Sequence, residues 1–156
     1  MGADFINIEL EVRDSSDLSK LAAAFGKKFS VNYCGQLSRG KYLLSGALAR
    51  DGRWSSSPDA IAAGLCRMIK GLKSPAKKIW SKASDRVFDV GFDATTDRSP
   101  IVNLFSHSVV VDIGKLGARI AVSVYTHDLE KKRKNPRRPA NNGGSGGKAA
   151  NENEDL

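Results

Sequence analysis

The side chains that could carry chemistry in this 156-residue chain are few. Its two histidines, His107 and His127, stand beside a loop and at the end of the last regular stretch. A metal centre needs three or four converging ligands, and no CxxC or Cys/His spacing accompanies these two. Cys34 falls in a strand-like run and Cys66 on the apolar side of a helix-like one. Both are expected as reduced, mostly buried thiols, because free cysteine packs as a small hydrophobe. Trp54-Ser55-Ser56-Ser57 supplies hydroxyls. A nucleophile also needs a base and an orienting group within hydrogen-bond reach, and spacing alone assembles no such set. Nucleophile-elbow, phosphate-loop and HExxH motifs are absent. The expectation is therefore no catalytic set, no metal and no cofactor.

Asp85, Asp89, Asp93 and Asp97 recur every four residues. On a helix this spacing would make one acidic face, but "RVFDVGFD" alternates as a strand does, which puts Asp89 and Asp93 on one wet face and Asp97 in the following loop. A calcium loop of the EF-hand kind needs oxygen ligands at alternate positions and a closing Glu, and this stretch has neither. Turn and surface aspartates are the reading that fits.

Positive charge is the stronger signal. The chain carries 25 Lys and Arg against 17 Asp and Glu, a net charge of +8. Arg67, Lys70, Lys73, Lys77, Lys78, Lys82 and Arg86 are interrupted by a single acid, Asp85. Spacings of three and four from Arg67 to Lys77 predict a basic ridge on a helical or near-helical path, turned away from the apolar stripe. Such a ridge suits phosphates, with affinity falling steeply as salt rises, or an acidic protein surface. A second cluster, Lys131, Lys132, Arg133, Lys134, Arg137 and Arg138, follows the last strand-like run and precedes an Asn/Gly/Ser-rich stretch with an acidic end. That composition predicts a disordered tail over 128–156 behind a single α+β domain over 1–127. The tail cations are a second candidate binding element.

The elements that must position these groups are legible from their periods. "FINIELEVR" alternates as a half-buried strand. "DSSDLSKLAAAFG" changes to helical spacing, with Ser15 or Ser16 as cap, Leu18, Leu21, Ala22 and Phe25 on one face, and Gly26 as the stop. "FSVNYCG" and "KYLLSGALAR" are two strands joined through "QLSRG". Ser57-Pro58 opens a helix with Ile61, Leu65, Met68, Ile69 and Leu72 as its stripe, and Ser74-Pro75 restarts one carrying Ile79 and Trp80. "RVFDVGFD" is a strand. "SHSVVVDIGKLG" is read as a short helix capped by Ser108, although its β-branched run favours a strand. "ARIAVSVYT" is the last strand, with Ile120, Val122 and Val124 on one face.

The order predicts an α+β fold: a mostly antiparallel sheet with helices on one face, a ferredoxin-like β-α-β-β-α-β core and a further C-terminal strand. A sheet of that kind invites comparison with the RNA-recognition motif, which stacks bases on exposed aromatics. Here the third strand offers Tyr42 and then Leu43, Leu44 and Ser45. The first strand turns outward Asn7, Glu9, Glu11 and Arg13, too acidic for a phosphate platform.

The strand-helix opening, "GRWSSSP" before the long helix and the closing "GKLGARIAVSVYT" resemble a family of small bacterial domains of unknown function. The resemblance spans roughly residues 5–126, with Trp54 and Tyr125 matching by position. It implies a bacterial or phage source and the same α+β fold, and no activity. No window approaches the ~20 apolar residues of a membrane span, and no basic leader with an apolar run opens the sequence, so a cytoplasmic location is expected. The functional expectation is a non-enzymatic protein-binding, inhibitor or regulatory module that meets an acidic protein surface. The alternative is a non-specific binder of nucleic-acid phosphates.

Overall fold

The computed structural model describes residues 4–49, 57–94 and 104–125. Strand β1 (Asp4–Asp14) follows from its alternation: Ile8, Leu10 and Val12 are fully buried, while Glu9, Glu11 and Arg13 point to the other side. Helix α1 (Ser19–Phe25) buries Leu21 and Phe25 and ends at Gly26, whose φ of 61° is the positive region that glycine tolerates best. The expected Ser15 or Ser16 cap does not form. Buried Leu18 holds the capping position, and Asp17 receives the Ser19 amide at 3.3 Å and also its hydroxyl.

Strands β2 (Phe29–Ser38) and β3 (Lys41–Leu48) are longer than their apolar runs, because Ser38 pairs directly with Lys41. The link is thus only Arg39-Gly40, with Gly40 at φ 68°, and not the whole of "QLSRG". Helix α2 (Pro58–Lys70) starts as read, with Ser57 Oγ accepting from the Ala60 amide at 3.1 Å. Helix α3 (Ala76–Lys82) is also present, but Pro75 occupies its capping position and Ser74 makes no cap bond. Strand β4 (Asp85–Asp93) forms as expected, but Val87 and Gly91 are buried as well as Phe88, Val90 and Phe92, so its burial does not alternate. Helix α4 (His107–Lys115) forms over the valine run because Val109 and Ile113, four apart, reach the core together. Its cap is Ser106, which receives the Val109 amide at 3.4 Å, and not Ser108. Strand β5 (Arg119–Tyr125) closes the order.

Among the described residues, the sheet runs β2-β3-β1-β4-β5. The first three pairings are antiparallel, and β5 lies parallel to β4. The α+β class and the mostly antiparallel sheet therefore stand, with one parallel pair that makes the sheet mixed. Parallel neighbours need a crossover, and the chain between β4 and β5 contains α4. The core lies between one sheet face and the helices: Ile8, Leu10, Val12, Leu44, Phe88 and Val90 join Leu21, Leu65, Ile69, Trp80 and Ile113 in a single buried cluster. Among the described residues, the other face carries Glu9, Glu11, Arg13 and Asp89, and Val87 is buried on it.

One burial expectation is corrected, that for Cys34, and the apolar face of β5 is exposed. Ile120, Val122 and Val124 do share the core side with Phe88, Val90 and Phe92, yet Val122 is 57% exposed. Cys34 is exposed, whereas Cys66 is buried as expected. Both exposures come from position: β5 and β2 are the edge strands. No helix among the described residues is long and apolar enough to cross a membrane.

Candidate binding face on the helix side

Helix α2 ends at Lys70 with Gly71 in the capping position, and Leu72 beyond it is still buried in the core. The chain then bends, and the Lys73 carbonyl accepts the Lys77 amide at 2.9 Å as α3 begins. The ridge expected on one helical path is thus split between the end of α2, the bend and α3. Arg67, Lys73, Lys77, Lys78 and Lys82 are exposed along it.

Two of the seven cations are used by the fold. Lys70 Nζ lies 2.7 Å from Asp112 Oδ1 on α4. At the other end of the same helix pair, Asp59 Oδ1 accepts the Ser106 amide at 2.6 Å. These two ties hold α2 and α4 side by side in the same direction. Arg86 is half-buried, and its guanidinium donates to three carbonyls: Gly117 at 3.0 Å, Trp80 at 2.8 Å and Ser81 at 3.1 Å. It also lies 6.0 Å from the Trp80 ring centroid, within cation–π range. A cation at carbonyls left unpaired by a helix C-terminus is favourable in itself, so Arg86 braces the ends of α3 and α4.

Beside the bend lies a groove of about 480 Å³ lined by Leu72, Lys73, Pro75 and Ala76 and by Lys20, Ala23 and Ala24 of α1. Its floor is apolar and small, and two ammonium groups flank it. Sequence reasoning missed Lys20 and the alanines because they join the ridge only where α1 packs beside α3, a contact without a local pattern.

The remaining candidates are dispersed. Asp85 is held by Arg119, with Nε–Oδ1 at 3.0 Å and Nη2–Oδ2 at 2.8 Å. That hydrogen bond holds the Asp85 carboxyl below the usual carboxylate range and raises Arg119 above its ordinary value. Asp89 accepts from Ser123 Oγ at 2.8 Å. His107 is exposed at the first turn of α4. Burial pushes the Cys66 thiol to about 11, with Asp112 adding to the rise. Among the described residues, no group of three His, Cys, Asp or Glu could hold a metal ion. Tyr42 is half-buried against the core, which removes the one aromatic that a base-stacking third strand would present. Trp54, Asp97, His127 and the tail cations Lys131, Lys132, Arg133, Lys134, Arg137 and Arg138 lie outside the described residues.

Among the described residues, this face offers long, strongly hydrated cations, two of them beside an apolar floor. Comparison with protein-family models, with curated proteins and with solved structures gives no match for this chain.

Proposed function

We propose that this chain is a non-enzymatic binding module of the inhibitor or regulatory kind, bacterial or phage in origin and cytoplasmic, that grips an acidic protein surface. The observation that carries the reading is the exposed set Arg67, Lys73, Lys77, Lys78 and Lys82, of which Lys73, with Lys20, lines a groove with an apolar floor. Phosphates alone gain nothing from Leu72, Pro75 and Ala76. A protein partner that places an apolar side chain beside its carboxylates uses both parts of the site. The element order and the β2-β3-β1-β4 run of neighbours fit a ferredoxin-like core carrying this face, with α4 and β5 added at one edge. The tail cations Lys131–Arg138 would strengthen attraction to the same partner.

The second reading, a non-specific nucleic-acid binder, draws on the same ridge. Its motive is that five exposed cations along a bend can follow a phosphate backbone. One experiment separates the two. The full chain and its Lys73→Glu/Lys77→Glu/Lys78→Glu variant are used for affinity capture from the native host, each with and without nuclease. A protein partner that survives nuclease and is lost with the variant is the expected result. Recovery of nuclease-sensitive material alone favours the nucleic-acid reading, and capture unchanged by the variant removes the ridge from either.

A further inference from the structure

Strand β5 is an edge strand without the sequence devices that keep edges from pairing. Natural sheets blunt their edges with proline, lysine or a bulge. Strand β2, at the other edge, breaks its register with β3 twice, between Val31 and Tyr33 and between Gln36 and Ser38. Strand β5 pairs with β4 without a shift from Arg119 to Tyr125, and it contains no proline, lysine or glycine. Its one charged side chain, Arg119, is held by Asp85 at 2.8 Å. The outer row of N–H and C=O groups on β5 meets no strand among the described residues.

The side chains at this edge are apolar and exposed. Ile120, Val122 and Val124 lie in register with Phe88, Val90 and Phe92, yet all three reach solvent. Helix α4 extends the patch. Its Asp112 turns to α2, where it meets Lys70, and its Val109 and Ile113 enter the core. At about 100° per residue, Val110 then faces away from α2, on the β5 side, and it too is exposed. Tyr125, also exposed, ends the strand. Five of the nine exposed large hydrophobic residues among those described therefore stand at one edge, a concentration that marks an interaction surface.

We infer that this edge is a dimer interface, taken by β5 of a second copy of the chain running antiparallel to the first. The strand, Arg-Ile-Ala-Val-Ser-Val-Tyr, is suited to pair with itself. Centred on Val122, the register sets Ile120 against the partner's Val124 and Val122 against the partner's Val122, so apolar meets apolar along that face. On the other face Ala121 meets the partner's Ser123. Arg119 meets the partner's Tyr125, a cation and a ring, and no like charges are opposed. The five exposed side chains amount to about 500 Å² per copy and about 1,000 Å² for the pair, the lower end for a specific interface. A strand from an unrelated protein would need its own match to this pattern, which a second copy already carries. The interface shares no residue with the basic face and does not rest on the function proposed for it.

Sedimentation velocity of the full chain, up to about 300 µM, tests the pair. A reversible monomer–dimer equilibrium with a Kd of roughly 10–100 µM is expected for an interface of this size. Val122→Lys should weaken it at least about tenfold, while Val31→Lys, the same change at the β2 edge, should leave it within about twofold. Both positions are exposed, so both variants should fold, which their melting temperatures check. In a Cys34→Ser chain, Val122→Cys should form a disulfide between copies under mild oxidation, because the register brings the two positions face to face. Ile120→Cys should not, since the same register leaves its two copies about 13 Å apart along the strands. A chain that stays monomeric at about 300 µM overturns the interface and leaves the edge to a strand from another protein. A dimer indifferent to Val122→Lys overturns the pairing, as does cross-linking through Ile120→Cys as fast as through Val122→Cys.

Discussion

Arg86 Nη1 donates to the Trp80 carbonyl at 2.8 Å, so a cation at the end of a basic run in the sequence is a brace in the fold. The same guanidinium reaches Gly117, and Trp80 Nε1 donates to the Leu116 carbonyl at 3.0 Å. Arg86 and Trp80 together tie α3 to the end of α4. Arg86→Ala should therefore cost about 2–3 kcal/mol, the range for a few charge-assisted bonds that leave acceptors behind. Urea denaturation measures it as a lower midpoint at unchanged m-value. Lys77→Ala, on the exposed ridge, should stay within about 0.5 kcal/mol in the same assay. Equal losses in the two variants would remove the distinction drawn between brace and ridge.

Gly46 has no room for a side chain. A Cβ there would sit 2.3 Å from the Ser30 carbonyl oxygen and 2.7 Å from the Phe29 ring. Gly46 pairs with Leu10 on one side and Val31 on the other, so the strand cannot shift without opening both ladders. Gly46→Ala should destabilise by about 3 kcal/mol or more through overpacking against backbone. A melting temperature within two or three degrees of wild type would contradict this close approach.

Acid should remove the Asp85–Arg119 contribution. The Asp85 carboxyl is held below its ordinary value, first by the hydrogen bond from Arg119. Its stabilising effect is therefore fully present above the unfolded carboxylate value, near 4, and is lost as pH falls through the lower folded value. The difference in melting temperature between wild type and Asp85→Asn should be constant from about pH 7 to 5 and close below about pH 4. High salt should shrink it at neutral pH, because both partners reach solvent. A gap that widens in acid would reverse the sign argued here.

The two thiols should separate by reactivity. Cys66 is 1% exposed and pushed to about 11, so little thiolate forms and little of it is reachable. Cys34 is exposed, though burial of part of its surface and the Asp17 carboxylate still hold it above the ordinary value. Alkylation of the folded protein at pH 8 should modify Cys34 alone, with Cys66 following only after denaturation. Two equivalents taken up in native buffer would place Cys66 outside the core.

By itself the sequence determined which stretches form elements and which face of each is apolar. Those properties depend on neighbours two to four residues apart: Ile8, Leu10 and Val12 in β1, or Ile61, Leu65 and Ile69 in α2. The cap was legible at Ser57 and was misplaced at Ser15 or Ser16, at Ser74 despite the proline that follows it, and at Ser108. There the start of the helix depends on what the core pulls inward. Tertiary structure alone decided that β5 lies parallel to β4 at an edge, which leaves Val122 and Val124 exposed. It also decided the fate of each ridge cation. "EKKRKNPRRP" lies outside the described residues, and of the seven ridge cations two are committed to Asp112 and to helix-end carbonyls. Pairing between strands and the partner of a charge join residues tens of positions apart, and no local period records such contacts.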